Sequence, residues 1–289
     1  QHLGRWTGHN MGFTMDEMVV WDPDLELGGL TPAQIKKARI LLWKGHCSVH
    51  QMFQKSQIDA FTSFVDEEVD IILLSATEGS GWEDSLKRAQ EAEIPVILID
   101  RPLPGLACDT VLVDNLNAAY GAIEHLINHG HRRIGIIAGP PGIYTAQERL
   151  KGYRRVHEDF DLPIADDLIL EGDYSLESGY RLMGQLLQRA DPPTAVFVTN
   201  YEMTLGAIMA LNESPIRVPD ELSIIGFDNQ QLARIVKPAL TIVVQPIQAI
   251  GETAATLLMK RLRDDRTGFP VIQRLKTSLV LGDSVRRTI

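Results

Sequence analysis
Cysteine, positive charge and long apolar runs are all scarce in this 289-residue chain. Its two cysteines, Cys47 and Cys108, lie far apart, so no disulfide framework is implied and a reducing compartment fits better than an oxidising one. Acidic residues exceed basic ones by 38 − 28 = 10. No segment is dense enough in Lys and Arg to neutralise a run of phosphates, which makes the chain by itself a poor nucleic-acid binder. No apolar stretch approaches the roughly 20 residues that cross a bilayer, and the opening QHLGRWTGHNMG has no signal-peptide core. Both glycine-rich phosphate cradles, G-x-x-x-x-G-K-[ST] and G-x-G-x-x-G after a strand, are missing, as are G-x-S-x-G, HExxH and Cys-x-x-Cys. No catalytic residue and no cofactor is assigned.

What is present is a 44% apolar chain, long enough for two lobes. From Glu68 onward, apolar runs of strand length alternate with amphipathic helices: 69–75, 94–100, 109–114, 133–139, 195–200, 222–228 and 240–245. Near-continuous Val, Ile and Leu in such runs means burial on both faces, as in a parallel sheet covered by helices, so the class is α/β. The helices carry readable ends. Asp114 is placed to cap the helix that Gly130 closes, Ser175 to cap LESGYRLMGQLLQ, and Pro246 opens IQAIGETAATLLMKRLRDD. Nearer the amino terminus, EMVVW (17–21) reads as a strand, LTPAQIKKARILLWKG as a helix capped by Thr31, and CSVHQM (47–52) as a second strand.

In an open parallel sheet ligands bind beyond the carboxyl ends of the strands. The residues there are Asp100 and Arg101 after IPVILI, Asn200 after AVFVT, Asp228 after LSIIGF and Gln245 after LTIVV. All give or take directional hydrogen bonds, which describes a polyhydroxylated, neutral ligand.

The segments IPVILIDRPLP, VLVDNLNAAYGAIEHLINHGHRRIGIIAGP, TAQERLKGYR, LEGDYSLESGY, PPTAVFVTNYEMTLGAIMAL, RVPDELSIIGFDN and KPALTIVVQP, in this order, resemble the effector-binding core of the lactose-repressor/galactose-repressor family of transcription regulators. The resemblance runs from about Glu68 to the carboxyl terminus. It implies a two-lobed periplasmic-binding-protein type I fold, each lobe a parallel sheet flanked by helices, with a carbohydrate effector in a cleft between them. The lobes would be 1–113 plus 246–272 and 114–245 plus 273–289. On the matching positions it implies that Asp100 and Arg101 face the ligand, that Arg149 clamps hydroxyls and that Tyr174 offers a ring for a sugar to stack on. Asn200, Asp228 and Gln245 supply the remaining hydrogen bonds. Two positions depart from the family: Asn200-Tyr201 stands where Asn-Asp is usual, and the loop after the first strand is unrecognisable.

Other constellations yield to plainer readings. His125 and His129 share a helix face near His131 but lack a third ligand, so the segment reads as a helix end. Cys47 and His50, with His46, supply half a zinc site. Asp22, Asp24 and Glu26 lack the glycine and glutamate of a calcium loop, with Leu27 and Ala33 in their places. No metal site is assigned. Asp100 and Asp228 could pair as a glycosidase acid and base, but Arg and amide neighbours would keep both ionised, whereas an acid catalyst needs a raised pKa. The expectation is therefore a cytoplasmic, homodimeric regulator core that is not an enzyme and meets operator DNA only through an amino-terminal head absent from this chain. A periplasmic sugar-binding protein of a transport system is the alternative. For the dimer, the helix after Gln245 offers an apolar stripe from Ile247 to Leu262, which Met259 extends sideways.

Overall fold
The computed structural model describes residues 14, 17–21, 25, 29–38, 40–43, 54–76, 81–103, 107–228 and 230–288. In chain order these form β1 (Met18–Trp21), α1 (Pro32–Lys37), β2 (Ile40–Trp43), α2 (Gln54–Asp66), β3 (Ile72–Leu74), α3 (Trp82–Glu91), β4 (Val96–Ile99), β5 (Asp109–Val113) and α4 (Asn115–Asn128). There follow β6 (Ile134–Ala138), α5 (Tyr144–Asp159), β7 (Ile169–Glu171), α6 (Leu176–Leu187), β8 (Ala195–Val198), α7 (Tyr201–Asn212), β9 (Ser223–Phe227), α8 (Gln230–Ile235), β10 (Thr241–Val244), α9 (Ile247–Leu262), β11 (Ile272–Leu275) and β12 (Ser278–Val280). They divide into two compact units, Gln1–Leu112 with Ile247–Leu275 and Val113–Pro246 with Lys276–Ile289.

The second unit is built on a six-stranded sheet, β12-β10-β9-β8-β6-β7. Its four central strands are the continuous apolar runs of the sequence, almost wholly buried and parallel to one another. At one edge the three-residue β12 joins β10 antiparallel, a departure from an all-parallel sheet of the kind mixed sheets allow at an edge. Helices cover both faces. Asp114 caps α4 on Asn117 N–H, Ser175 caps α6 on Ser178 N–H, and Asn200 caps α7 on Met203 N–H. Helix α5 comes close to α4 because Gly152 has no side chain: a Cβ there would lie 2.2 Å from the Leu116 carbonyl oxygen.

The first unit holds a four-stranded sheet, β11-β5-β4-β3, and a two-stranded parallel sheet of β1 and β2. Helix α9 packs Ala254, Leu257 and Leu258 against Ile97 and Val111. Met259 packs on this same core and is half-buried, so the apolar side chain of α9 that stands out is Ile247, 50% exposed.

One helix is much shorter than its sequence pattern suggests. Thr31 and Gln34 form a reciprocal capping box, as the start signals require, but α1 ends at Lys37. Ala38 turns extended and Ile40–Trp43 pairs in parallel register with Met18–Trp21. A partner strand thus captures an apolar run that would otherwise continue the helix, a tertiary override of local propensity. The strand expected over 47–52 lies outside the described residues, as do Cys47, His46, His50, Asp22 and Asp24. Pro246 directly precedes α9 rather than occupying its first turn.

Candidate functional site
The second unit holds five of the seven candidate residues, Arg149, Tyr174, Asn200, Asp228 and Gln245. Arg149 sits on α5, 4% exposed, although arginine is seldom buried without reason. Its Nε donates to Asn115 Oδ1 at 2.8 Å, its Nη1 donates to the Thr199 carbonyl at 2.5 Å, and its Cζ lies 3.8 Å from the centroid of the Phe227 ring. The charge is therefore held by neutral acceptors and a π face. Among the described residues Nη2 has no hydrogen-bond partner and Arg149 makes no ion pair. One donor edge of a fixed, planar cation remains available.

The other candidates adjoin this arginine through the sheet. Thr199 ends β8 and Asn200 follows it; the Asn200 Oδ1 is taken up in capping α7. Phe227 ends β9 and Asp228 follows it, its Oδ1 accepting from Gln245 Nε2 at the end of β10. Tyr174 lies in the loop after β7, its ring occupying the space a Cβ on Gly139 would need, 2.1 Å from that position, and its hydroxyl 3.3 Å from Thr145 Oγ1. Thr145 stands one turn before Arg149 on α5. The Tyr174 ring is mostly buried in the core of this unit.

Asp100 and Arg101 belong to the first unit, at the end of β4. Arg101, 3% exposed, folds back so that its Nη2 lies 2.9 Å from Asp100 Oδ2. The Asp100 N–H extends the ladder to the Val111 carbonyl, as the Asp228 N–H does to that of Val243.

Backbone conformation sets three of these residues apart. Seven described non-glycine residues have positive φ. Glu68, Glu93, Asp161 and Asp264 each lie two residues beyond a helix end, the usual place for a left-handed residue. Asp100 (φ 72°), Tyr174 (φ 68°) and Asp228 (φ 82°) follow strands instead. Such residues cost of order 1–3 kcal/mol each and cluster at ligand sites, where strain aims a side chain. Sequence reasoning missed Asn115, Thr199 and Phe227; the last two stand beside named candidates, the only hint available.

The histidines have structural partners. His129 Nδ1 donates to the His125 carbonyl at 2.8 Å and the two rings are 4.2 Å apart. Among the described residues no group of three His, Cys, Asp or Glu is placed to hold a metal ion. His131 contacts Thr194 Oγ1 at 2.9 Å and the Arg286 carbonyl at 3.2 Å. Burial, aided by the nearby cations Arg286, His129 and Arg132, pushes its imidazole from 6.5 down to about 4. An unfolded chain therefore takes up a proton below pH 6.5 that the folded unit refuses until about pH 4. Stability must fall as the pH drops through that window. Urea unfolding followed by circular dichroism should show His131→Gln losing less stability between pH 7 and 5 than the parent; equal losses would refute this assignment.

Compared with known proteins, residues 123–285 match the model of a periplasmic binding protein-like domain. A second model, quinolinate synthetase A protein, matches residues 10–77, too short a part of the chain to show a family. The HTH-type transcriptional repressor PurR of Actinobacillus pleuropneumoniae serotype 3 (strain JL03) is 34% identical over 223 residues, 77% of this chain and 66% of the repressor. Catabolite control protein A of Priestia megaterium is 32% identical over 226 residues, 76% of this chain and 66% of that protein. The chain thus spans just under two thirds of the length of these relatives. Among solved structures, the transcriptional regulator CelR in its cellobiose complex is 26% identical with a TM-score of 0.73, covering 97% of this chain and 89% of that one.

Proposed function
This chain belongs to the periplasmic binding protein-like family, in the branch of the lactose-repressor/galactose-repressor regulators, and from that premise we propose that it is the effector-binding and dimerisation core of a sugar-responsive transcription regulator. The observation that carries the reading is Arg149: a buried guanidinium held by Asn115, Thr199 and Phe227, with one donor edge unspent among the described residues, its holders Thr199 and Phe227 directly preceding Asn200 and Asp228 in the chain. A sugar hydroxyl both gives and takes hydrogen bonds. It is matched by an arginine donor edge, the Asp228 carboxylate and the Asn200 and Gln245 amides together. The first unit carries groups of the same kind in Asp100 and Arg101. Operator DNA would be read through an amino-terminal head outside this chain, in keeping with the net charge of −10. A cytoplasmic setting follows from that role.

Calorimetry of the chain against cellobiose, D-ribose, D-galactose and D-glucose tests the effector class, and absence of binding to any carbohydrate would refute it. Assembly is tested separately. A two-fold operator calls for a two-fold protein, so light scattering should give twice the 32.2 kDa chain mass. A monomer at high micromolar concentration would favour a transport-associated binding protein instead.

A further inference from the structure
We propose that Asn115 is the positioning residue of the Arg149 clamp, its carboxamide setting the direction in which Nη2 points. The ligand half of this inference rests on the effector-binding reading; the geometric half does not. Asn115 is the first residue of α4 and its side chain is buried, yet it turns to a residue 34 positions further on. Its Nδ2 donates to the Val113 carbonyl at 3.1 Å and its Oδ1 accepts from Arg149 Nε at 2.8 Å. A backbone carbonyl can only accept and an arginine Nε can only donate, so the amide has one workable orientation. Val113 is the last, buried residue of β5, which gives the contact a fixed end.

Each contact on Arg149 restrains something different. The Phe227 ring backs the guanidinium, its centroid 3.8 Å from Cζ, and the Thr199 carbonyl holds one corner. The remaining rotation of the fork is left to the Nε contact, whose acceptor among the described residues is Asn115. A clamp free to swing would lose the pre-organisation that makes a fixed donor effective.

The competing explanation is packing: Asn115 fills space at the start of a buried helix. Two variants separate the ideas, because Asn115→Leu keeps the volume without the acceptor and Asn115→Asp keeps the acceptor. With arginine labelled at 15Nε, the Arg149 Hε should exchange with solvent slowly in the parent. Exchange should be at least ten-fold faster in Asn115→Leu and within about two-fold of the parent in Asn115→Asp. Affinity for whichever of cellobiose, D-ribose, D-galactose or D-glucose binds the parent best should weaken at least ten-fold in Asn115→Leu and recover in part in Asn115→Asp. Unchanged Hε exchange in the leucine variant, or an aspartate variant that behaves like it, overturns the assignment. If the leucine variant does not fold, fast exchange in the parent overturns it, and slow exchange kept by the aspartate variant supports it. Should no sugar bind the parent, the effector reading falls while the exchange experiment still decides the role of Asn115.

Discussion
Replacing Arg149 with alanine is expected to weaken effector binding at least a hundred-fold while the protein stays folded. Charge-assisted hydrogen bonds contribute about 1.5–3 kcal/mol each, so losing two of them at a hydroxyl-rich ligand is enough for that effect. The fold loses less than it might. Asn115 Oδ1 and the Thr199 carbonyl are deprived of a donor, at about 1–3 kcal/mol each if no water replaces it, against a usual reserve of about 5–15 kcal/mol. Arg149→Lys is the sharper comparison. An ammonium keeps the charge but cannot reproduce the planar fork that reaches Asn115 and Thr199 at once, so partial binding is expected. The measurement is calorimetry against the best-binding sugar, with circular dichroism to establish folding. Affinity unchanged by Arg149→Ala would remove this arginine from the site.

Much of this was legible because burial on both faces leaves a strong compositional mark. Runs such as SIIGF and AVFV cannot be helix stripes, and the structure makes them central parallel strands. Thr31, Asp114 and Ser175 were equally readable, since a capping side chain and the N–H it satisfies lie within one helical turn. Features that depend on a distant partner were not. ILLW follows an amphipathic run and looks like more helix; only its pairing with MVVW decides otherwise. The strand Ile169–Glu171 has three residues at a sheet edge, too few for a periodic signal. That aspartates follow two of the strands could be read from position, but not that Asp100 and Asp228 adopt left-handed backbone. Asn115 is the clearest case. In the chain it is merely the residue after a cap, and its role depends on an inward turn toward Arg149.

The largest effect on stability is expected in the first unit, at a contact between residues 152 positions apart. Asp109 opens β5 and Arg261 lies near the end of α9, with side chains 1% and 3% exposed. Arg261 Nε donates to Asp109 Oδ2 at 2.5 Å and Nη2 donates to Oδ1 at 2.9 Å. The same Oδ1 accepts from the Val271 N–H at 2.8 Å, just before β11. Arg261 Nη1 also reaches the Asp265 carbonyl, and the Phe269 ring lies 5.2 Å from its Cζ. One pair thereby ties a strand, a helix and the chain entering a second strand. Desolvation makes such a pair a poor net contributor, but removing one partner leaves a buried charge unanswered and costs about 3–5 kcal/mol. Asp109→Leu should therefore destabilise this unit by about that amount. Adding Arg261→Met should recover only part of the loss, because Val271 N–H and the Asp265 carbonyl stay unsatisfied. All four tryptophans, Trp6, Trp21, Trp43 and Trp82, fall within Gln1–Leu112, so tryptophan fluorescence in urea follows this unit alone while circular dichroism follows both. The fluorescence midpoint should move to lower urea in Asp109→Leu and partly return in the double variant. A single variant within about 1 kcal/mol of the parent would mean that water reaches Arg261 and that the pair is not buried in solution.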